Sequence, residues 1–447
     1  MISDMTSYVE LKKFFSSDED RSIDTLGKIY EDMPLLQSSI KKVMMAHLKP
    51  EQIAGKTVLL KPNLVKQCNP RKPYDPICLF THPNFILATL RVLLECSPKA
   101  ITVGDAPIQN CHWESMLHPD FYDKIDRLQE EFDVPIRVVD FRKVIFYPDK
   151  NVFGRSNRKD EDYLVFDVAN RSYLEPITKE KNVFRVTNYN PDRMAKSHAK
   201  GMHKFCVAKE VFDADIVITM PKTKTHRMAC ITNSLKVLVG INGDKDYLPH
   251  HRIGSEQHGG DCYKEYSFCR SLSEKLLDFS NRHQGKCYFG LVRKIASLLW
   301  RLSFPTPETS SNAGWYGNDT VWRMVLDLNT IAIYGKADGT LSDTPQRTLY
   351  TLTDAIIGGQ GSGPLEPDPL ALGFISFSNN PYLNDEVFGH LFNLDVERVP
   401  LLYQASKKNK EANCKLFLDG KEIDFHELEN YSTQVTLAPG WIHYADR

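Results

Sequence analysis

The 447 residues carry 56 basic and 57 acidic side chains, and a formal charge of −1 excludes the basic excess that electrostatic tracking along nucleic acid requires. Hydrophobic residues make up 42% and charged residues 25%, the balance of a folded globular chain rather than a disordered one. Such a length exceeds one ordinary core, which predicts two lobes.

The start, Met1-Ile2-Ser3-Asp4-Met5, lacks the basic-then-apolar pattern of a secretory signal. The most apolar central run, Ile295 to Trp300, lies between Lys294 and Arg301 and is far below spanning length. Both features point to a cytoplasmic protein without a membrane span. The stretch Leu291 to Leu302 reads as a buried helix, with a membrane-surface helix as the alternative. No two of the ten cysteines are spaced as C-x-x-C, and the closest, Cys262 and Cys269, are seven apart. That spacing argues against a zinc ribbon, a ferredoxin-type cluster or a thioredoxin-like motif, so no iron–sulfur cluster is expected.

Residues 1–50 read as helical and charged. Beyond them a pattern recurs, in which an apolar run breaks into a polar or Gly/Pro loop. Thr57-Val58-Leu59-Leu60 runs into Lys61-Pro62-Asn63, and Ala100-Ile101-Thr102-Val103 into Gly104-Asp105. Asp215 to Met220 runs into Pro221-Lys222-Thr223-Lys224, and Tyr350 to Ile357 into Gly358-Gly359-Gln360-Gly361. Apolar strands with helical stretches between them, such as Phe85 to Glu95, predict an α/β fold with a mostly parallel sheet flanked by helices. A first lobe is expected over 51–210, with a charged insertion near 149–162, and a second over 211–447. Gly254 to Asp261 and Phe304 to Gly314 read as mobile loops. In a parallel sheet the loops at the strands' carboxyl ends converge on ligands.

The densest segment is Met220 to Arg252. Pro221 stops a strand, and Lys222 and Lys224 flank a loop holding His226. Ile231 to Val239 reads as a helix with Asn233 and Lys236 three apart on one face. Ammonium groups at a strand end suit a carboxylate or phosphate, although a solvated basic loop has the same composition. His250 and His251 follow Asp244-Lys245-Asp246, a setting for acid–base work or metal binding or merely polar surface. Asn318 to Asn329 reads as a capped helix on which Asp319, Arg323 and Asp327 recur at every fourth position. Their apolar neighbours set that row apart from an ordinary surface salt-bridge ladder, and Arg323 is expected to be buried and paired. Gly359 and Gly361 permit close backbone approach to a ligand, or simply a flexible turn. The glycine spacing fits neither the dinucleotide nor the P-loop pattern, and G-x-S-x-G is absent, which disfavours a standard hydrolase.

Taken in order, LLKPNLV (Leu59 to Val65), GDAP (Gly104 to Pro107), MPKTKTH (Met220 to His226), NSLKVLVGI (Asn233 to Ile241), GNDTVWRMVLDLN (Gly317 to Asn329) and DAIIGGQGSGP (Asp354 to Pro364) resemble the DUF362 family. The resemblance runs from about residue 55 to 400. Many members are described as iron–sulfur proteins because they carry an added ferredoxin-like module, whose paired cysteines this chain lacks. The long form with WYGNDTVWR looks like members encoded among genes for surface glycans or specialised metabolites. The expectation is an enzyme acting on an anionic small molecule or glycan precursor, by transfer, reduction or isomerisation. A non-catalytic binding or electron-transfer partner is the alternative. Asp105, His226, Lys236 and Asp319 are the candidate catalytic groups. Lys61, Asn63, Lys222, Lys224, Asn233, Arg323, Gly359 and Gly361 are the candidate substrate contacts. If a divalent metal is bound, His250, His251 and Asp319 are its candidate ligands.

Overall fold

The computed structural model describes residues 6–72, 76–117, 119–147, 152–180, 183–303 and 312–447. Eleven strands in these residues share one sheet. They are β1 (Ser7–Lys13), β2 (Thr57–Pro62), β3 (Ala100–Asp105), β4 (Ile136–Asp140), β5 (Ile216–Met220), β6 (Lys222–His226), β7 (Cys230–Thr232), β8 (Thr348–Ser362), β9 (Glu366–Ser378), β10 (Cys414–Leu418) and β11 (Lys421–Ile423). The spatial order is β11-β10-β1-β9-β8-β5-β2-β3-β4, and β6 pairs with both β7 and β8. The helices used below are α1 (Met33–Met45), α2 (Pro83–Leu94), α3 (Pro119–Phe132), α4 (Phe268–Arg282), α5 (Phe289–Leu302), α6 (Val321–Tyr334) and α7 (Pro381–Leu391).

The fold is α/β, with a mixed and mostly parallel sheet between helices. Strands β4, β3, β2, β5 and β8 are mutually parallel, with Leu60 opposite both Val103 and Ile218. Their near-continuous apolar runs follow from burial on both faces. Side-chain alternation sends Leu60 and Ile218 toward α1, α2 and α3, and Leu59 and Val217 toward α6.

Strands from both expected lobes join this sheet, since β5 lies beside β2 across the boundary expected at 210. The N-terminal segment is helical in α1, but Ser7–Lys13 is a strand inserted between β9 and β10. Its partners lie near the other end of the chain, so no local pattern reveals the pairing. Two expected loops are also strands. The KTKTH run is wholly buried in β6, and the glycine run continues β8 as far as Ser362. A Cβ at Gly359 would come within 2.8 Å of Lys224 Cβ, and one at Gly363 within 1.9 Å of the Thr225 carbonyl oxygen. The glycines therefore let β6 lie directly on β8.

Where the charged insertion was expected, Val144–Tyr147 pairs antiparallel with Val152–Arg155. Residues 148–151 and 304–311, parts of the expected insertion and loop, and the Met1–Met5 start lie outside the described residues. Helices α4 and α5 pack on each other. Only Ala296 and Trp300 of α5 are buried, while Leu291, Ile295, Leu298 and Leu302 form an exposed stripe, so this helix is amphipathic rather than fully buried. No helix among the described residues is long and apolar enough to cross a membrane.

Candidate functional site

A cleft of about 1050 Å³ opens at the carboxyl ends of β2 and β3, between the sheet and the α4–α5 pair. Its floor is built from strand ends. Lys61 is the next-to-last residue of β2 and Asp105 the last of β3, and Lys61 Nζ donates to Asp105 Oδ1 at 2.6 Å. The Leu64 and Ala106 amides donate to Asp105 Oδ2 and Oδ1 at 2.5 and 2.8 Å, so both carboxylate oxygens are satisfied. Burial lowers the Lys61 pKa, and Asp105 opposes that shift. Gly240 closes over the pair, where a Cβ would fall 1.8 Å from Asp105 Oδ1.

Three more lysines line the cleft without a carboxylate on their ammonium groups. Lys245 Nζ donates to the Ala106 carbonyl at 2.9 Å, and Lys224 Nζ to the Leu79 carbonyl. Lys236 Nζ has no hydrogen-bond partner among the described residues, although the side chain is buried. Burial brings Lys236 and Lys245 down to about 8 and Lys224 to about 7. Lys236 sits on the short helix Ser234–Val237, which is held at two points. The Leu235 amide donates to Asp385 on α7 at 3.3 Å, and Asn329 Nδ2 on α6 donates to the Leu235 carbonyl at 2.9 Å. With Arg227, Arg293 and Arg301, seven cationic side chains among the described residues line the cleft against one carboxylate, Asp105, which is already paired.

Two histidines in the lining present opposite chemistry. His226 Nδ1 accepts from the Met228 and Ala229 amides at 3.0 and 3.2 Å, so a neutral ring carries its proton on Nε2. His250 Nδ1 lies 2.7 Å from the Leu248 carbonyl, which needs a donor and leaves Nε2 as an acceptor. Burial first, and the Lys236 charge second, hold both rings neutral, His250 at about 4 and His226 well below its ordinary value. The lining also includes apolar and aromatic side chains, Phe146, Phe153, Tyr189, Leu277, Phe289 and Trp300, the last two on α5 beside Arg293 and Arg301. The cleft thus offers cationic and apolar surface together.

Of the residues expected from sequence, Lys61, Asn63, Asp105, Lys224, His226, Lys236 and His250 converge on this cleft. The others lie elsewhere. Lys222 is turned into a closed network in which Nζ meets Asp354 Oδ2 at 3.0 Å and the Tyr30 hydroxyl at 2.8 Å. The register against β8 jumps from Asp354 at Lys222 to Gly359 at Lys224, which separates the two lysines. Asn233 is fully buried and accepts from the Thr223 hydroxyl at 3.1 Å. Gly359 and Gly361 sit in the β8–β9 ladder.

Asp319 and Arg323 pair with each other at 3.0 Å away from the cleft lining, and the guanidinium lies over the Trp322 ring. The Arg323 side chain is 18% exposed, and its partners are Asp319 and the Tyr173 carbonyl. Asp327, expected to share the charged row, instead accepts from the Ser172 hydroxyl and Tyr173 amide at 2.5 and 2.8 Å. His251 also stands apart, beside Cys262 and Glu274. Sequence reasoning missed Lys245, Gly240 and the three arginines. Lys245 lay within the segment singled out, where His250 and His251 rather than the lysine were named as candidates.

The profile described as "Domain of unknown function (DUF362)" matches residues 145–389, more than half of the chain. The chain belongs to the DUF362 family. The match contains β5 to β8 and the Lys224, His226, Lys236 and Lys245 wall, while Lys61 and Asp105 precede it. A crystal structure of a Thermotoga maritima protein overlays 85% of this DUF362 chain at 10% identity and a TM-score of 0.33. The overlay spans 59% of that protein, and a fit this loose carries no argument. No curated protein matches the chain.

Proposed function

We propose that this DUF362 protein is a cytoplasmic enzyme that binds an anionic small molecule with an apolar portion and transfers a proton on it. The observation that carries this reading is the Lys236 side chain, nine-tenths buried in the cleft lining, whose ammonium has no hydrogen-bond partner among the described residues, in a lining where cations outnumber the one paired carboxylate among them. A desolvated charge without a partner is costly, and a ligand of opposite charge offsets that cost. An arriving carboxylate or phosphate would restore the ammonium form of Lys236 and Lys224, because an opposite charge raises a lysine pKa. Lys61 is committed to Asp105 and serves as floor.

Lys236, near 8 without ligand and raised by a bound anion, would act from its ammonium form as a general acid toward the substrate. In this reading His226, with its proton on Nε2, would donate to a substrate oxygen, and His250 Nε2 would accept from a hydroxyl. Proton transfer of this kind serves transfer, reduction and isomerisation alike. The apolar part of the lining favours a substrate whose anionic group is joined to a body of several carbon atoms, including a glycan or specialised-metabolite precursor. A thermal-shift panel of phosphate, pyrophosphate, dicarboxylates and sugar phosphates tests the reading. Stabilisation by a subset of anions that Lys236→Met abolishes supports it; no anion acting, or equal stabilisation of the variant, contradicts it.

A further inference from the structure

We propose that His251, Cys262 and Glu274 form a binding site for a divalent transition-metal ion of the zinc class, set in the wall beside the cleft. One ligand atom from each lies within 4.8 Å of the others, and all three residues are buried. They arrive from different elements. His251 belongs to the short strand His251–Arg252, paired antiparallel with Phe184–Arg185. Cys262 is held by its backbone, whose amide donates to the Gly254 carbonyl at 3.1 Å and whose carbonyl accepts from Ala313 at 2.8 Å. Glu274 projects from α4, and its Oε1 accepts from the Gly254 amide at 3.0 Å.

A second observation points to a ligand. His251 is 3% exposed, yet its Nδ1 is buried without a hydrogen-bond partner. Such an orphaned polar atom costs about 1–3 kcal/mol, and most native buried groups avoid it. A small pocket lined by His251 and Glu274, though not by Cys262, opens beside them.

The donor types choose the metal class. Imidazole nitrogen, thiolate sulfur and carboxylate oxygen together suit a borderline-soft cation, whereas calcium and magnesium take oxygen ligands. On binding, the Cys262 S–H bond breaks, its proton leaves to solvent and a sulfur–metal bond forms without change of oxidation state. Three protein ligands leave one coordination position open. The small cavity shares Val186, Thr187, Leu277 and Asn312 with the cleft lining, so the ion would fasten α4 to the wall of the main site. This site stands whether or not the cleft binds an anion.

The test is anaerobic titration of chelator-stripped protein with Co2+, followed by optical spectroscopy. Expected are a sulfur-to-cobalt charge-transfer band saturating at one equivalent, reversal by Zn2+, and a higher melting temperature with Zn2+. Cys262→Ser should lose the band and weaken Zn2+ binding by about 100-fold or more, whereas Cys287→Ser, at an exposed thiol, should leave both unchanged. Glu274→Gln, which keeps the shape of the side chain, should retain the fold and weaken binding. Absence of the band from folded wild-type protein, or a band that survives Cys262→Ser, would overturn the proposal.

Discussion

The Lys61 ammonium and the Asp105 carboxylate meet at 2.6 Å across the ends of two adjacent parallel strands, and Gly240 leaves them the space to do so. A methyl group at residue 240 would stand 2.5 Å from Lys61 Nζ as well as 1.8 Å from Asp105 Oδ1. Gly240→Ala must therefore part the pair or displace the Leu238–Ile241 turn. Separating a buried pair costs about 3–5 kcal/mol, and urea unfolding should register a loss of that order. A change below about 0.5 kcal/mol would show that the turn moves freely.

Lys236→Met should act in opposite directions on stability and binding. Without ligand at pH 7, it removes an ammonium that desolvation disfavours, and stability should rise by about 1–3 kcal/mol. Affinity for a stabilising anion should fall about tenfold or more, the worth of a charge-assisted hydrogen bond. Unfolding curves and calorimetric titration of one preparation read both. A variant that is destabilised and binds normally would make Lys236 a packing residue.

The pH dependence has a fixed sign. Lys224 titrates at about 7 and Lys236 and Lys245 at about 8 when folded, against 10.5 unfolded. Between about pH 7 and 10.5 the unfolded chain holds protons that the folded chain has released, so these lysines make stability rise with pH. Below pH 7 their full cost is present. Anion affinity should fall through the same window. Asp327 and Asp385 work the other way, since burial raises them to about 7 and 8, and their contribution falls as pH rises from about 4 to 8. The difference between wild type and Lys236→Met isolates the lysine slope: the variant's stability advantage should shrink between pH 7 and 10.

On α6 the two charged positions should separate. Arg323 shares Asp319 with solvent, and Arg323→Ala should cost about 1 kcal/mol. Asp327 is fully buried on two hydrogen bonds, and Asp327→Ala should cost about 2–3 kcal/mol by stranding the Ser172 and Tyr173 donors. Equal costs by denaturant unfolding would contradict this assignment.

The residues of the candidate cleft were legible where chemistry is local. Lys61, Asn63 and Asp105 follow apolar strands directly, and a parallel sheet gathers such strand ends on one edge. What escaped depends on distant partners. KTKTH reads as a loop unless β8 is known to lie beside it with glycines in register. Lys222 and Lys224 look equivalent until the register jump sends one to Asp354 and the other to the cleft. The acid–base–acid row before and on α6 suggested one network, but Ser172 and Tyr173, more than a hundred residues upstream, take Asp327 out of it. The same helix supports the site through Asn329, which helps hold the turn bearing Lys236.

The central claim is that the lysine-lined cleft is an anion site. Anomalous diffraction from crystals soaked in bromide, with Lys236→Met crystals as the comparison, tests it most directly. The expected result is a peak in the cleft within hydrogen-bonding distance of Lys236, absent from the variant. An empty cleft in the wild type, or a peak of equal height in both proteins, would contradict the account.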